Sequence, residues 1–199
     1  MRTGCNSASR RRMVRAFAWA ASACLLAVVS AAAQQGWVVE RRGPAGKDLN
    51  AVYFADSKRG WVGGDEGLVL RTEDGGRTWE QQPSGVADGV NDIYFRDKED
   101  GYLLAANRVM LTEDGGRTWR AQTSGVESDL RDVKFVDARE GWAVGGEGSI
   151  LHTTDGGATW RAERPVTPHT LERLFLAGRT RGWAVGFGGT IIGLVNRES

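Results

Sequence analysis

Thr72-Glu73-Asp74-Gly75-Gly76-Arg77-Thr78-Trp79 decides the fold, because these eight residues return unchanged at 112–119 and again as Thr153-Thr154-Asp155-Gly156-Gly157-Ala158-Thr159-Trp160. A second element keeps step with them. Arg59-Gly60-Trp61 recurs as Asp100-Gly101-Tyr102, Glu140-Gly141-Trp142 and Arg181-Gly182-Trp183, with the glycines 41, 40 and 41 residues apart. Two motifs locked to one period mark an internal repeat, which governs every local reading.

Each unit divides into four short strands. Leu49, Val52 and Phe54 lead the first unit, and Val90, Ile93 and Phe95, then Leu130, Val133 and Phe135, then Leu171, Leu174 and Leu176 lead the others. Their spacing assigns them to one face of a strand. Trp61-Val62-Gly63 forms the second strand, Leu68–Thr72 the third, and the Asp-Gly-Gly turn reverses the chain into a fourth beginning at Trp79. Four strands in about 40 residues, with glycine at the reversals and no helical pattern between units, specify a propeller blade. The expected fold is all-β: a β-propeller of four four-stranded blades, with units at 48–82, 89–122, 129–163 and 170–196. The fourth unit reads Asn196-Arg197-Glu198-Ser199 where the box should stand. Gly36-Trp37-Val38-Val39-Glu40 lies before Leu49 much as Trp79 lies before Val90. Residues 36–41 are therefore expected to complete the last blade, closing a small ring; the alternative is a partial arc whose ends pair with another copy.

Residues 1–33 have the form of a signal peptide, leaving 34–199 as the repeat domain. Arg10, Arg11, Arg12 and Arg15 precede an apolar run, Ala16–Val29, which ends in Ala31-Ala32-Ala33. The run is shorter than the roughly 20 residues a membrane span needs. The arginines suit a twin-arginine or a Sec signal equally. Removing the five arginines of this segment leaves 21 of the 26 basic residues against all 25 acidic ones, a net charge of −4. A mildly acidic chain argues against nucleic acid as the partner. Both cysteines, Cys5 and Cys24, leave with the segment, so no disulfide or thiol chemistry is expected.

The repeated turn has the Asp-box pattern, also called the BNR repeat, and three copies match it fully: Thr72, Asp74, Gly76, Thr78 and Trp79; Thr112, Asp114, Gly116, Thr118 and Trp119; Thr153, Asp155, Gly157, Thr159 and Trp160. An aspartate in such a turn accepts hydrogen bonds from the amides ahead of it. The box carboxylates sit in different blades and do not converge on one substrate, and one carboxylate per turn is too few for calcium. The boxes are read as structural, with no catalytic residue, metal or cofactor. Trp61, Trp142 and Trp183, with Tyr102 in register, are read as core between blades. His152 and His169, the only histidines, lack spaced ligand partners. Box turns and Gly-Trp turns are expected at one rim, where Arg59, Arg77, Arg117, Arg139, Arg179 and Arg181 form the candidate partner face. The opposite rim collects Asp65, Glu66, Asp88, Glu127, Asp129 and Glu147 and is expected to be acidic.

The whole unit, Leu130-x-x-Val133-x-Phe135, Gly141-Trp142-Ala143-Val144-Gly145, Ile150-Leu151-x-Thr153-x-Asp155-Gly156-Gly157, Thr159-Trp160, resembles the repeat of the photosystem II assembly and stability factor family. The resemblance covers residues 36–196. It implies a non-catalytic scaffold in the periplasm or thylakoid lumen that binds a membrane-complex subunit and assists its assembly. Members of that family carry more blades than the four units here. Other Asp-box proteins supply the alternatives: a glycan-binding or glycoside-hydrolase-type protein, or a fragment of a larger propeller. Sialidases share only the boxes.

Overall fold

The computed structural model describes residues 46–195, so the expected signal segment and the strand at 36–41 lie outside the described residues. Among the described residues, fifteen strands form four antiparallel meanders. Blade one comprises β1 (Leu49–Phe54), β2 (Gly60–Gly64), β3 (Val69–Thr72) and β4 (Glu80–Gln82). Blade two comprises β5 (Val90–Phe95), β6 (Gly101–Ala105), β7 (Arg108–Thr112) and β8 (Arg120–Gln122). Blade three comprises β9 (Leu130–Phe135), β10 (Gly141–Gly145), β11 (Ile150–Thr153) and β12 (Arg161–Ala162). Blade four has three strands among the described residues: β13 (Leu171–Leu176), β14 (Arg181–Gly186) and β15 (Thr190–Val195). The first strands of successive blades pack side by side and line a common channel, so each sheet radiates outward from its first strand.

One local feature departs from simple alternation. Leu49 and Val52 are three residues apart, yet their counterparts Val90 and Ile93 share one buried face with Phe95. A register shift falls between Leu49 and Ala51, between Val90 and Asp92, opposite Leu130 and Asp132, and between Leu171 and Arg173. A β-bulge at the start of every inner strand thus adds the residue that brings the two positions onto the same side.

The core lies between blades, not within them. Trp61 of blade one stacks on Phe95 of blade two with ring centroids 3.6 Å apart, and Val69, Val90, Ile93 and Leu103 close around the pair. Tyr102 of blade two stacks on Phe135 of blade three at 4.4 Å, with Val109, Leu130 and Val133 around it. Leu176 replaces the phenylalanine in blade four, and Trp142 stacks instead on His152 of its own blade at 4.4 Å. Polar bonds reinforce two of these joints: Trp61 Nε1 donates to Gly115 O at 2.9 Å, and Tyr102 Oη to Gly156 O at 2.5 Å.

The expected closed ring does not form among the described residues; the blades make an open arc. Leu49, Val52 and Phe54 on the outer face of blade one are exposed, as are Phe175, Trp183, Val185 and Ile191 on the far face of blade four. The reading of the recurrent aromatic as core therefore holds for Trp61, Tyr102 and Trp142, whereas among the described residues no following blade covers Trp183.

Because Trp61 is fully buried between two blades, we expect Trp61→Ala to lower the unfolding free energy by about 3–5 kcal/mol. Tyr102→Phe keeps the ring and removes one hydrogen bond, so it should cost about 1 kcal/mol. Urea unfolding followed by circular dichroism measures both.

Candidate functional site

The three boxes are superimposable networks. Thr72 Oγ1 donates to Asp74 Oδ1 at 2.8 Å and accepts from the Gly76 amide at 2.9 Å. Asp74 Oδ1 accepts from the Thr78 amide at 2.8 Å, and Oδ2 from the Thr78 hydroxyl at 2.6 Å. Asp114 and Asp155 repeat the pattern with Thr112 and Thr118, and with Thr153 and Thr159. The hydroxyl and amide of Thr78 hold Asp74 down at about 2, and those of Thr159 do the same for Asp155. At Asp114 burial opposes the charge, but the bonds from Thr118 and Thr112 outweigh it and the net shift is downward. A carboxylate held in this way stays ionised and fully engaged, and is neither a general acid nor a free ligand.

The box glycine serves as the seat for the neighbouring blade. Gly116 has φ +81°, and a Cβ there would come within 2.8 Å of Trp61 Nε1; at Gly157, φ +79°, it would come within 2.5 Å of the Tyr102 ring. Trp119 and Trp160 pack edge-on against Phe95 and Phe135 of their own blades, filling the outer part of the first two joints.

Box turns and Gly-Trp turns meet at one rim, through Gly75 N–H to Lys58 O, Gly115 N–H to Glu99 O and Gly156 N–H to Arg139 O, each 2.8 Å. The rim arginines are engaged locally. Arg59 Nε lies 3.3 Å from Asp56, Arg77 donates to Asp74 O and Arg117 to Asp114 O, and Arg179 is 2.5 Å from Asp137. Arg139 and Arg181 are exposed, their carbonyls accepting from Gly156 and Ala177. At the opposite rim the expected acidic face is interrupted by bases: Lys47 pairs with Glu66 at 2.8 Å and Arg131 with Asp129 at 3.5 Å.

The channel holds a group that the repeat pattern conceals. Asp92 Oδ2 accepts from the Val133 amide at 3.2 Å, and Asp132 Oδ2 from the Leu174 amide at 2.7 Å, so each carboxylate fastens its blade to the next. Lys134 bridges them, 3.3 Å from Asp92 and in contact with Asp132. Burial pushes Asp92 up to about 7 against the pull of Lys134, with Asp132 adding to the rise. The equivalent positions in blades one and four are Ala51 and Arg173. The signal for this group was present: one column of the repeat reads Ala51, Asp92, Asp132, Arg173, while the column after it, Val52, Ile93, Val133 and Leu174, stays apolar.

Between blades three and four lies a cleft of 310 Å³ lined by Trp142, Val144, Ile150, His152, Ile192 and Leu194, among others. It occupies the place that Trp119 and Trp160 fill at the other two joints. Among the described residues, no strand pairs with the outer edge of β15, which makes blade four three-stranded. A free strand edge beside an apolar cleft can take an extended chain, pairing its backbone and burying alternate side chains. Among the described residues no three His, Cys, Asp or Glu side chains group as metal ligands, and no helix is long and apolar enough to cross a membrane.

The two kinds of carboxylate give opposite pH dependence. Depressed Asp74 and Asp155 contribute stability that is present above about pH 4 and lost as pH falls through about 2. Asp92, raised, favours the fold while protonated, so its contribution declines as pH rises from about 4 through 7. We expect a double Asp74→Asn, Asp155→Asn variant to flatten the acid limb of the urea midpoint against pH, and Asp92→Asn to flatten the limb between about 4 and 7.

A sequence model of the family described as "Photosynthesis system II assembly factor YCF48" matches residues 122–195. No curated protein matches the chain by sequence. Among solved structures, the computationally designed Ika4 protein is 13% identical, with TM-score 0.62 over 80% of this chain and 98% of that one. The GH74 xyloglucanase from Xanthomonas campestris is 14% identical, with TM-score 0.58 over 73% of this chain but 29% of the enzyme. Both likenesses are of fold alone. A structure described as YCF48 bound to D1 peptide is 16% identical over 76% of this chain and 79% of that one, and at TM-score 0.35 its superposition adds nothing to the sequence match. The chain is a BNR-repeat β-propeller protein related to the photosystem II assembly factor family.

Proposed function

We propose that this protein is a non-catalytic binding scaffold, exported to the periplasm or thylakoid lumen, that assists the assembly of a membrane protein complex. The observation that carries this reading is the match of residues 122–195 to the assembly factor family, because that segment contains the cleft and the edge of β15 that no strand pairs among the described residues. The client is an extended, apolar segment of a protein subunit. It adds to β15 as a strand, and a large side chain enters between Trp142 and Leu194, where the other joints hold the box tryptophan. Backbone pairing supplies affinity and the cleft supplies side-chain selectivity. No cofactor takes part.

A hydrolytic reading needs two carboxylates that a glycan can reach across a cleft, roughly 5 to 10 Å apart. Asp92 and Asp132 are instead tied to the amides of the next blade and share Lys134, which favours a fastening role.

The test is affinity capture from native membranes with cross-linking, followed by fluorescence titration of the cross-linked client segment as a labelled peptide. Leu194→Glu should weaken that peptide by about tenfold or more with an unchanged urea midpoint, whereas exchanging Arg59, Arg139 and Arg181 together for glutamate should leave it bound. The reverse result would move the client from the cleft to the arginine rim. Undiminished binding by Leu194→Glu, together with a Trp37→Asp variant that unfolds more easily, would assign the edge to residues 36–41 of the chain itself. Absence of any specific client sinks the scaffold reading.

A further inference from the structure

Every joint in the arc is built from two half-sites. The leaving face of one blade offers a ring at the Gly-Trp position with apolar residues beside it; the arriving face of the next offers the three apolar side chains of its first strand, such as Val90, Ile93 and Phe95. Where the halves meet they vanish from solvent: Trp61, Phe95 and Val69 are 0% exposed and Ile93 is 1%. At the two ends of the arc the same positions lie open. Trp183 is 39% exposed, Phe54 41%, Ile191 73% and Val52 67%. Phe175 and Val185 extend the patch on blade four, and Leu49 extends it on blade one. Contiguous exposed apolar surface of this kind marks an interaction site.

The seat on blade one matches the others. A Cβ on Gly116 or Gly157 would strike the ring of the preceding blade, but around Gly76 the nearest atoms within 4 Å all belong to its own Trp79. The leaving face of blade four carries the ring that fits such a seat. From this we infer that a second copy of this chain covers both faces, joined head to tail, with Trp183 of one copy buried against Phe54 of the partner subunit as Trp61 is buried against Phe95. The occupant is a second copy because the two open half-sites are the unpaired members of one repeated pair, and both are carried by this chain. Two such joints related by a two-fold axis close the assembly. Arg173 stands where Asp92 and Asp132 fasten the inner joints. That fastener is dispensable, since the first joint has Ala51 at this position and packs tightly.

Sedimentation velocity and light scattering of the protein test the inference. We expect a dimer whose dissociation constant rises by about tenfold or more in Val185→Glu, on the leaving face, and in Val52→Glu, on the arriving face. Mixing the two variants should restore association, because each keeps the half-site the other lacks. Far-UV circular dichroism and the urea midpoint verify folding, and Ile191→Lys replaces Val185→Glu if the latter does not fold. A monomer at all concentrations overturns the proposal. So does a Val52→Glu variant that dimerises like the parent, since that requires like faces to pair, and so does a mixture that fails to reassociate.

Discussion

The structure depends on the aromatic stack between blades. A four-stranded meander has two faces and no interior, so it cannot exclude water alone; Trp61 on Phe95 and Tyr102 on Phe135 are where two such sheets become one core. Stability in this arrangement is a sum over nearest neighbours. Each inner blade is stabilised twice, once by each adjoining blade, and each end blade once. The exposed Phe54 and Trp183 are the visible form of that arithmetic.

The Asp box serves the stack indirectly. Its aspartate and threonines hold the turn, and the turn holds a glycine in a left-handed conformation directly beneath the ring of the preceding blade. The carbonyl beside that glycine then receives the ring's donor, as Gly115 receives Trp61. Carboxylate charge is consumed inside the loop, which is why a motif rich in acid and hydroxyl groups carries no chemistry of its own. The column occupied by Asp92 and Asp132 places charge on the channel, and there the lysine and the amides of the next blade neutralise it.

Much of this was legible in the amino-acid sequence, and the reasons differ by element. The blades, the box turns and the shared rim followed from two motifs kept at one period, since strand order alone places β1–β2 and β3–β4 reversals at the same end. The bulge did not: Leu49 and Val52 look like an error in alternation until backbone pairing shows the extra residue. The Asp92–Lys134–Asp132 group was hidden because comparing units draws attention to what recurs, and this column varies. Whether the last blade finds a neighbour was also beyond reach, since Trp183 reads in sequence like Trp61 and only packing separates a core ring from an exposed one.

Those variable places are where a scaffold built from repeats acquires individual properties. At the joint between blades three and four, the absence of a box tryptophan among the described residues removes packing that the other joints have, and the same change opens the cleft beside β15. Leu176 in place of phenylalanine loosens that joint further, leaving Trp142 to stack on His152 within its own blade. A departure at one joint therefore leaves an apolar recess beside β15, the recess that the proposed client would enter. The recess is bounded by the two blades it separates, with Trp142 and Ile150 on one and Ile192 and Leu194 on the other, so the proposed client strand would touch both. Under the proposed function, occupancy would restore the packing the joint lacks, coupling client binding to the stability of the fourth blade by mass action.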